Sequence, residues 1–183
     1  MQAQVKGNSF RTLLAAVEAL RSPEARQRVE SALPESTRHM LRGIVPGGWY
    51  PMHVYGEIHG LIAKQCGTGE AFARALGRHT SQQDLKGFAR FFFKFATPKQ
   101  AMSATALIAP KYFRGASVEI VHLSQRSVRF VCSGFSGSTA LMWAEFAGGI
   151  EPFIEAAGGK AIRVHRVDGG GDSPDADFVL HWL

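Results

Sequence analysis

Cysteine is scarce in this chain: Cys66 and Cys132 are its only two, and they stand far apart. Without a Cys-x-x-Cys spacing, neither a disulfide framework nor a structural zinc site is expected. Two free thiols that pack as small hydrophobes are the plain reading. Long apolar runs are missing as well. None reaches the ~20 residues of a membrane-spanning helix, and Met1 to Lys6 lacks the apolar stretch of a secretion signal. A cytoplasmic protein without a transmembrane segment is the expectation. Reaction signatures are equally thin. There is no paired-carboxylate arrangement, no Ser-His-Asp order with local context and no cofactor fingerprint, so an enzyme is not expected. Gly134-Phe135-Ser136-Gly137 follows a strand and precedes a helix, but it matches neither Gly-x-Ser-x-Gly nor Gly-x-x-x-x-Gly-Lys. A turn with Ser138 or a neighbour as helix cap is the simpler reading, and anion binding at the helix start the sharper one.

What is present is enough for a real core. The chain has 183 residues, 45% of them hydrophobic, which fits one domain over 1–183 and argues against disorder. The net charge of +6 is unevenly spread. Residues 1–115 hold 16 Lys/Arg against 7 Asp/Glu, and residues 116–183 hold 5 against 8. A basic first part and a mildly acidic second part can steer an acidic partner or bring two copies together.

Periodicity divides the chain at the same place. Phe10, Leu13, Leu14, Val17 and Leu20 form an apolar stripe at helical period. Ser22-Pro23-Glu24 reads as an N-cap with proline in the first turn. Short helices follow through Val29 and Leu33 and from Glu35 to Arg42. Two glycines and two prolines in Ile44 to Pro51 predict an irregular loop. A longer helix runs from Pro51 to Cys66, and another from Glu70 stops at Gly77. Ser81-Gln82-Gln83-Asp84 resembles a capping box that opens the most apolar helix, to about Phe95. Thr97-Pro98-Lys99-Gln100 is a second box, opening a helix that ends near Pro110.

From residue 116 the period becomes two. Ser117 to Leu123 and Ser127 to Val131 read as a hairpin. A helical stretch runs from Ser138 to about Ala157, with Gly148-Gly149 and Pro152 predicted to break it in two. Two further strands carry Ile162 and Val164, then Phe178, Leu180 and Trp182, on either side of a Gly- and Asp-rich turn. The predicted fold is α+β: a helical part (1–115) packed on a four-stranded antiparallel sheet with ββαββ order (116–183).

Phe10-Arg11-x-Leu13-Leu14, Ser22-Pro23-Glu24-Ala25-Arg26, Ile44 to Pro51 with its Pro-Gly-Gly-Trp-Tyr-Pro core, Gly77-Arg78-His79 and the glycines after Val167 resemble a myxobacterial paralogous family, a domain of unknown function. More remotely, the ββαββ end with Cys132-x-Gly134-Phe135 is similar to a ligand-binding superfamily. It includes haem-based nitric-oxide/oxygen sensors, vinyl-reductase-type domains and TRAPP subunits of Golgi transport particles. The haem sensors carry a helical histidine and a Tyr-x-Ser-x-Arg clamp for the propionates, and no Tyr-x-Ser-x-Arg occurs here. The resemblance implies a non-enzymatic interaction or ligand-sensing module, a signalling protein that forms a homodimer or binds a protein partner. A small-molecule or haem sensor with a pocket between helices and sheet is its alternative.

Candidate residues follow. Trp49, Tyr50, Tyr55, Phe88, Phe92, Cys132 and Trp143 are the set that can line a cavity for a small hydrophobic ligand, or fill it as core. Lys86, Arg90 and Lys94 form a basic stripe along one helix face. Nucleic acid is not expected to bind it, since no recognisable DNA-binding motif is present. His53 and Glu57 share a helix face, but a metal needs a third ligand, and none is expected. No cofactor is expected; haem is the exception to be tested, with His79 as the candidate ligand.

Overall fold

A computed structural model describes residues 2–86 and 95–183. The short helices form where caps and stripes predict them. Helix α1 (Gly7–Leu20) buries Phe10, Leu13, Leu14 and Val17. Ser22 caps α2 (Pro23–Ala32), its Oγ accepting the Ala25 N–H at 3.2 Å. Helix α3 spans Glu35–Arg42 and α4 spans Met52–Cys66. Gly67 ends α4 in the left-handed conformation that favours glycine, φ 60°. Thr97 and Gln100 close the predicted capping box at the start of α6 (Pro98–Ile108), which leads into a 3-10 turn at Ala109–Lys111.

Three elements differ from the sequence reading. Helix α5 (Glu70–Asp84) does not stop at Gly77, and Ser81 to Asp84 lie inside it rather than capping a new helix. The apolar helix expected to about Phe95 falls mostly on residues 87–94, outside the described residues. The last helix, α7 (Ala140–Ala156), is one piece despite Gly148, Gly149 and Pro152. Both glycine differences have one cause. A Cβ on Gly77 would lie 1.9 Å from the Glu145 carbonyl oxygen, and one on Gly148 would lie 2.0 Å from that of Arg74. The glycines are where α5 and α7 cross backbone against backbone. Arg74 and Arg78 on α5 then pair with Glu151 and Glu155 on α7, tying down the turn that holds Pro152.

The third difference is a small sheet. Strands β1 (Gln4–Lys6), β2 (Trp49–Pro51) and β3 (Phe113–Arg114) pair in the order β2-β1-β3, with Val5 opposite both Tyr50 and Phe113. The expected irregular loop therefore ends as a strand. Strands this short carry little pattern of their own; pairing against β1 defines them.

The four-stranded sheet is as predicted. Strands β4 (Ser117–Ser124), β5 (Ser127–Ser133), β6 (Arg163–Gly169) and β7 (Ala176–His181) lie in the order β4-β5-β7-β6, all antiparallel. Val128, Phe130 and Cys132 of β5 and Phe178 and Leu180 of β7 point into the core. Phe130 sits directly opposite Phe178. Helix α6 packs on β4 and β5, and α7 sets Trp143 and Phe146 against Phe178 and Phe130. Among the described residues, no helix is long and apolar enough to cross a membrane.

Candidate ligand cavity

Between the helices and the inner face of the sheet lies a cavity of about 190 Å³. A third of the described residues that line it are aromatic. Phe135 stacks edge-on with Trp143 and with Phe113, each at 5.1 Å between ring centres, and Phe146 lies 6.1 Å from both Trp143 and Phe130. These rings come from β3, β5, the strand-to-helix turn and the first turns of α7, so the ββαβ succession itself assembles them. The 170–175 loop closes one end: the Ser173 carbonyl accepts from Ser138 Oγ at 2.8 Å and from Trp143 Nε1 at 3.2 Å.

Two polar groupings interrupt the aromatic wall. On α7, Glu145 accepts the Tyr55 hydroxyl at Oε1, 2.8 Å, and stands 2.9 Å from His59 Nε2 at Oε2. Tyr55 and His59 are one turn apart on α4, an i, i+4 pair, which is why both reach one carboxylate. Burial first, then the carboxylate charge, pushes the Tyr55 phenol well above its ordinary range, so it stays a neutral donor. His59 is 1% exposed and stands behind this contact. At the mouth, the Tyr112 hydroxyl donates to Asp84 Oδ2 at 3.1 Å. Desolvation raises Asp84 above the usual carboxylate range and takes Tyr112 to about 12. The serine and threonine hydroxyls of Ser9, Thr12, Thr80, Ser81 and Thr105 complete the polar part of the wall.

Of the residues singled out in the sequence, Tyr55 and Trp143 stand on this wall. Trp49 lies elsewhere, between Lys6 Nζ at 4.3 Å and the Arg114 guanidinium at 4.5 Å from its ring centre. Tyr50 packs edge-on against Phe10 and accepts the Val45 N–H at 2.8 Å. Cys132 is buried in β5 beside the cavity but not on its wall. Burial, then the Asp177 charge, pushes its thiol far above the ordinary range, so it is no nucleophile. Phe88, Phe92, Arg90 and Lys94 lie outside the described residues. Lys86 is exposed just after α5. His79, the candidate haem ligand, is half-exposed on α5, 3.3 Å from the Gln83 amide nitrogen, and does not line the cavity although its neighbour Thr80 does. His53 stands by Gln2 at 3.1 Å. At the helix start, the candidate anion site, the Ser138 N–H donates to the Phe135 carbonyl at 2.9 Å, and Thr139, the neighbour of Ser138, caps α7.

Glu145, Asp84 and Tyr112 were missed in the sequence. Glu145 had a signal: it is the only charged residue between Ala140 and Ile150. A charge inside an apolar helix calls for a buried partner.

No family model matches the chain, and no curated protein is detectably similar to it. Solved structures are. An Fe(II) unliganded H-NOX protein from K. algicida superposes with a TM-score of 0.71, at 12% identity, over 97% of this chain and 96% of that one. An oxygen-binding H-NOX domain related to soluble guanylate cyclases gives 0.66 at 15% identity, over 97% and 94%. A further neighbour, with a TM-score of 0.65 at 14% identity over 97% and 98%, concerns haem redox potential modulated through protein-induced porphyrin distortion. These neighbours overturn the expectation of no cofactor, since the fold is one that holds haem in solved proteins. The described wall has its own chemistry: among the described residues it presents no imidazole, thiol or guanidinium, so it does not fit a haem held through histidine and an arginine clamp. Across nearly its whole length, this chain has the fold of the H-NOX domains.

Proposed function

We propose that this chain is a non-enzymatic sensor domain that takes a small molecule into the cavity between its helices and its sheet. One observation carries the reading: a chain that shares the H-NOX fold over 97% of its length has an aromatic cavity with convergent polar groups between those layers. Enclosed apolar sites with a few placed polar groups are where proteins hold small molecules. The sensing version is better supported than a bare interaction module, because the neighbours of this fold include an oxygen-binding H-NOX domain and a haem protein.

Haem is the ligand the neighbours suggest first, and when bound it supplies an iron that can take up a diatomic gas. The groups on the described wall that can ligate iron are the phenols of Tyr55 and Tyr112 and the Met142 thioether. The test is native mass spectrometry on freshly purified protein together with an absorbance spectrum before and after added hemin. A Soret band that saturates at one haem per chain supports the haem version. Excess native mass without that band supports another small ligand. A bare mass, no band and no ligand-induced thermal shift would overturn the sensor reading. A bare mass at twice the chain would return the interaction module and homodimer to the lead.

A further inference from the structure

We infer that the cavity takes a small organic cation, an amine carried on a body about the size of one aromatic ring. This rests on the sensor reading and adds the ligand's size and charge.

Size comes from the volume. An apolar cavity of ~150 Å³ accepts benzene, whereas sites for drug-sized ligands run to about 300–1,000 Å³. A cavity of about 190 Å³ therefore has room for one ring with a short chain.

Charge comes from the wall. Among the described residues its carboxylates are Glu145 and Asp84, and no lysine, arginine or histidine lines it. Glu145 sits deep, its side chain 14% exposed, and Asp84 stands at the mouth. A cation entering past Asp84 and stopping at Glu145 meets opposite charge along its path, while an anion is repelled twice.

Geometry comes from the carboxylate's neighbours. Tyr55 and His59 each engage one oxygen of Glu145, fixing its plane. A carboxylate oxygen has two lone-pair sites, so each still has one for an ammonium N–H. Tyr55, Trp143 and Phe146 line the same cavity as Glu145. Aromatic faces attract a desolvated cation, and a carboxylate with such rings is the usual chemistry of amine recognition. The same wall opposes a porphyrin, whose propionates are anionic, and in this the cavity departs from its haem-holding neighbours.

The experiment is isothermal titration of the full chain at neutral pH with three probes of like shape: 2-phenylethylammonium, n-propylbenzene and 3-phenylpropanoate. The amine is expected to bind at least about tenfold more tightly than n-propylbenzene, and 3-phenylpropanoate not to bind. Glu145→Gln keeps the shape and removes the charge. In that variant, shown to be folded by circular dichroism, amine affinity should fall to the level of n-propylbenzene, with the latter unchanged. If the variant does not fold, the ranking of the three probes on the unaltered chain decides. The proposal is overturned if the amine does not bind, if either other probe matches it, or if Glu145→Gln leaves its affinity unchanged. A Soret band or native mass excess without amine preference would remove the amine and leave the sensor reading standing. With neither, both fall.

Discussion

Adding one methyl group at the α5–α7 crossing should have opposite effects to adding one on α4, and the difference tests the account of these glycines. At Gly148 an alanine Cβ would lie 2.0 Å from the Arg74 carbonyl oxygen. Ordinary contact begins near 3.4 Å, so the helices must part by more than 1 Å. The obstacle is backbone, which cannot rotate away as a side chain can. Overpacking of this kind costs about 1–3 kcal/mol, and separating the helices also strains the Arg74–Glu151 and Arg78–Glu155 pairs. Against it stands the helix propensity of alanine over glycine, up to ~1 kcal/mol. The net expectation is a loss of about 2 kcal/mol, or ~4–8 °C in Tm for a chain this long. Gly60 is the control. It is helical and exposed, and nothing lies within 4 Å of its added Cβ, so Gly60→Ala should raise Tm by ~2–4 °C. Thermal melts followed by circular dichroism read both. A Gly148→Ala protein as stable as the parent, or two variants shifted in the same direction, would refute the close-crossing explanation for both Gly148 and Gly77.

Three further outcomes follow from the same structure. Thr97→Ala removes the side-chain half of a capping box, the Oγ1 that accepts the Gln100 N–H, and should cost about 1 kcal/mol by denaturant unfolding; no change would mean that this cap does not stabilise α6. Alkylation of the native protein at mildly alkaline pH should label half-exposed Cys66 and spare buried Cys132, as read by peptide mass spectrometry; prompt labelling of Cys132 would show that β5 opens. Asp84 has its folded pKa raised by desolvation, so the folded state binds its proton more tightly and this group's contribution to stability falls as pH rises through the range just above the ordinary aspartate value. Asp84→Asn should flatten that part of a stability-versus-pH curve taken from about pH 3 to 6; an unaltered slope would place the desolvation elsewhere.

The parts of the fold visible in the sequence are those set by local chemistry. Ser22 and Thr97 cap helices because a hydroxyl before a proline and three residues before a backbone N–H has one good use. Phe130 and Phe178 face the core because alternation leaves a strand no other way to bury them. Glycine is where local reading failed. In isolation Gly77 reads as a stop and Gly148-Gly149 as a break, since glycine weakens a lone helix. In the folded chain both are contact surfaces, and no rule confined to one helix contains its neighbour. The clue lay in charge spacing: Arg74 and Arg78 are four apart on either side of Gly77, and Glu151 and Glu155 are four apart just after Gly148-Gly149. Two such ladders of opposite sign are what paired helices need.

The cavity divides along the same line. Tyr55 and Trp143 could be chosen as wall residues by ring alone, whereas Trp49 and Tyr50, equally aromatic, serve the small sheet that their pairing with β1 creates. Which aromatic rings surround the cavity is settled by topology, and topology was legible only as element order. The acids were harder still. A glutamate on a helix ordinarily faces water, and Glu145 is exceptional because α4 presents a tyrosine and a histidine one turn apart to receive it. That arrangement holds a carboxylate against an aromatic wall where its charge is otherwise costly to bury. Leucine at that position would leave the Tyr55 hydroxyl and the His59 imidazole buried without their partner, so the three residues form one polar unit whose members depend on each other.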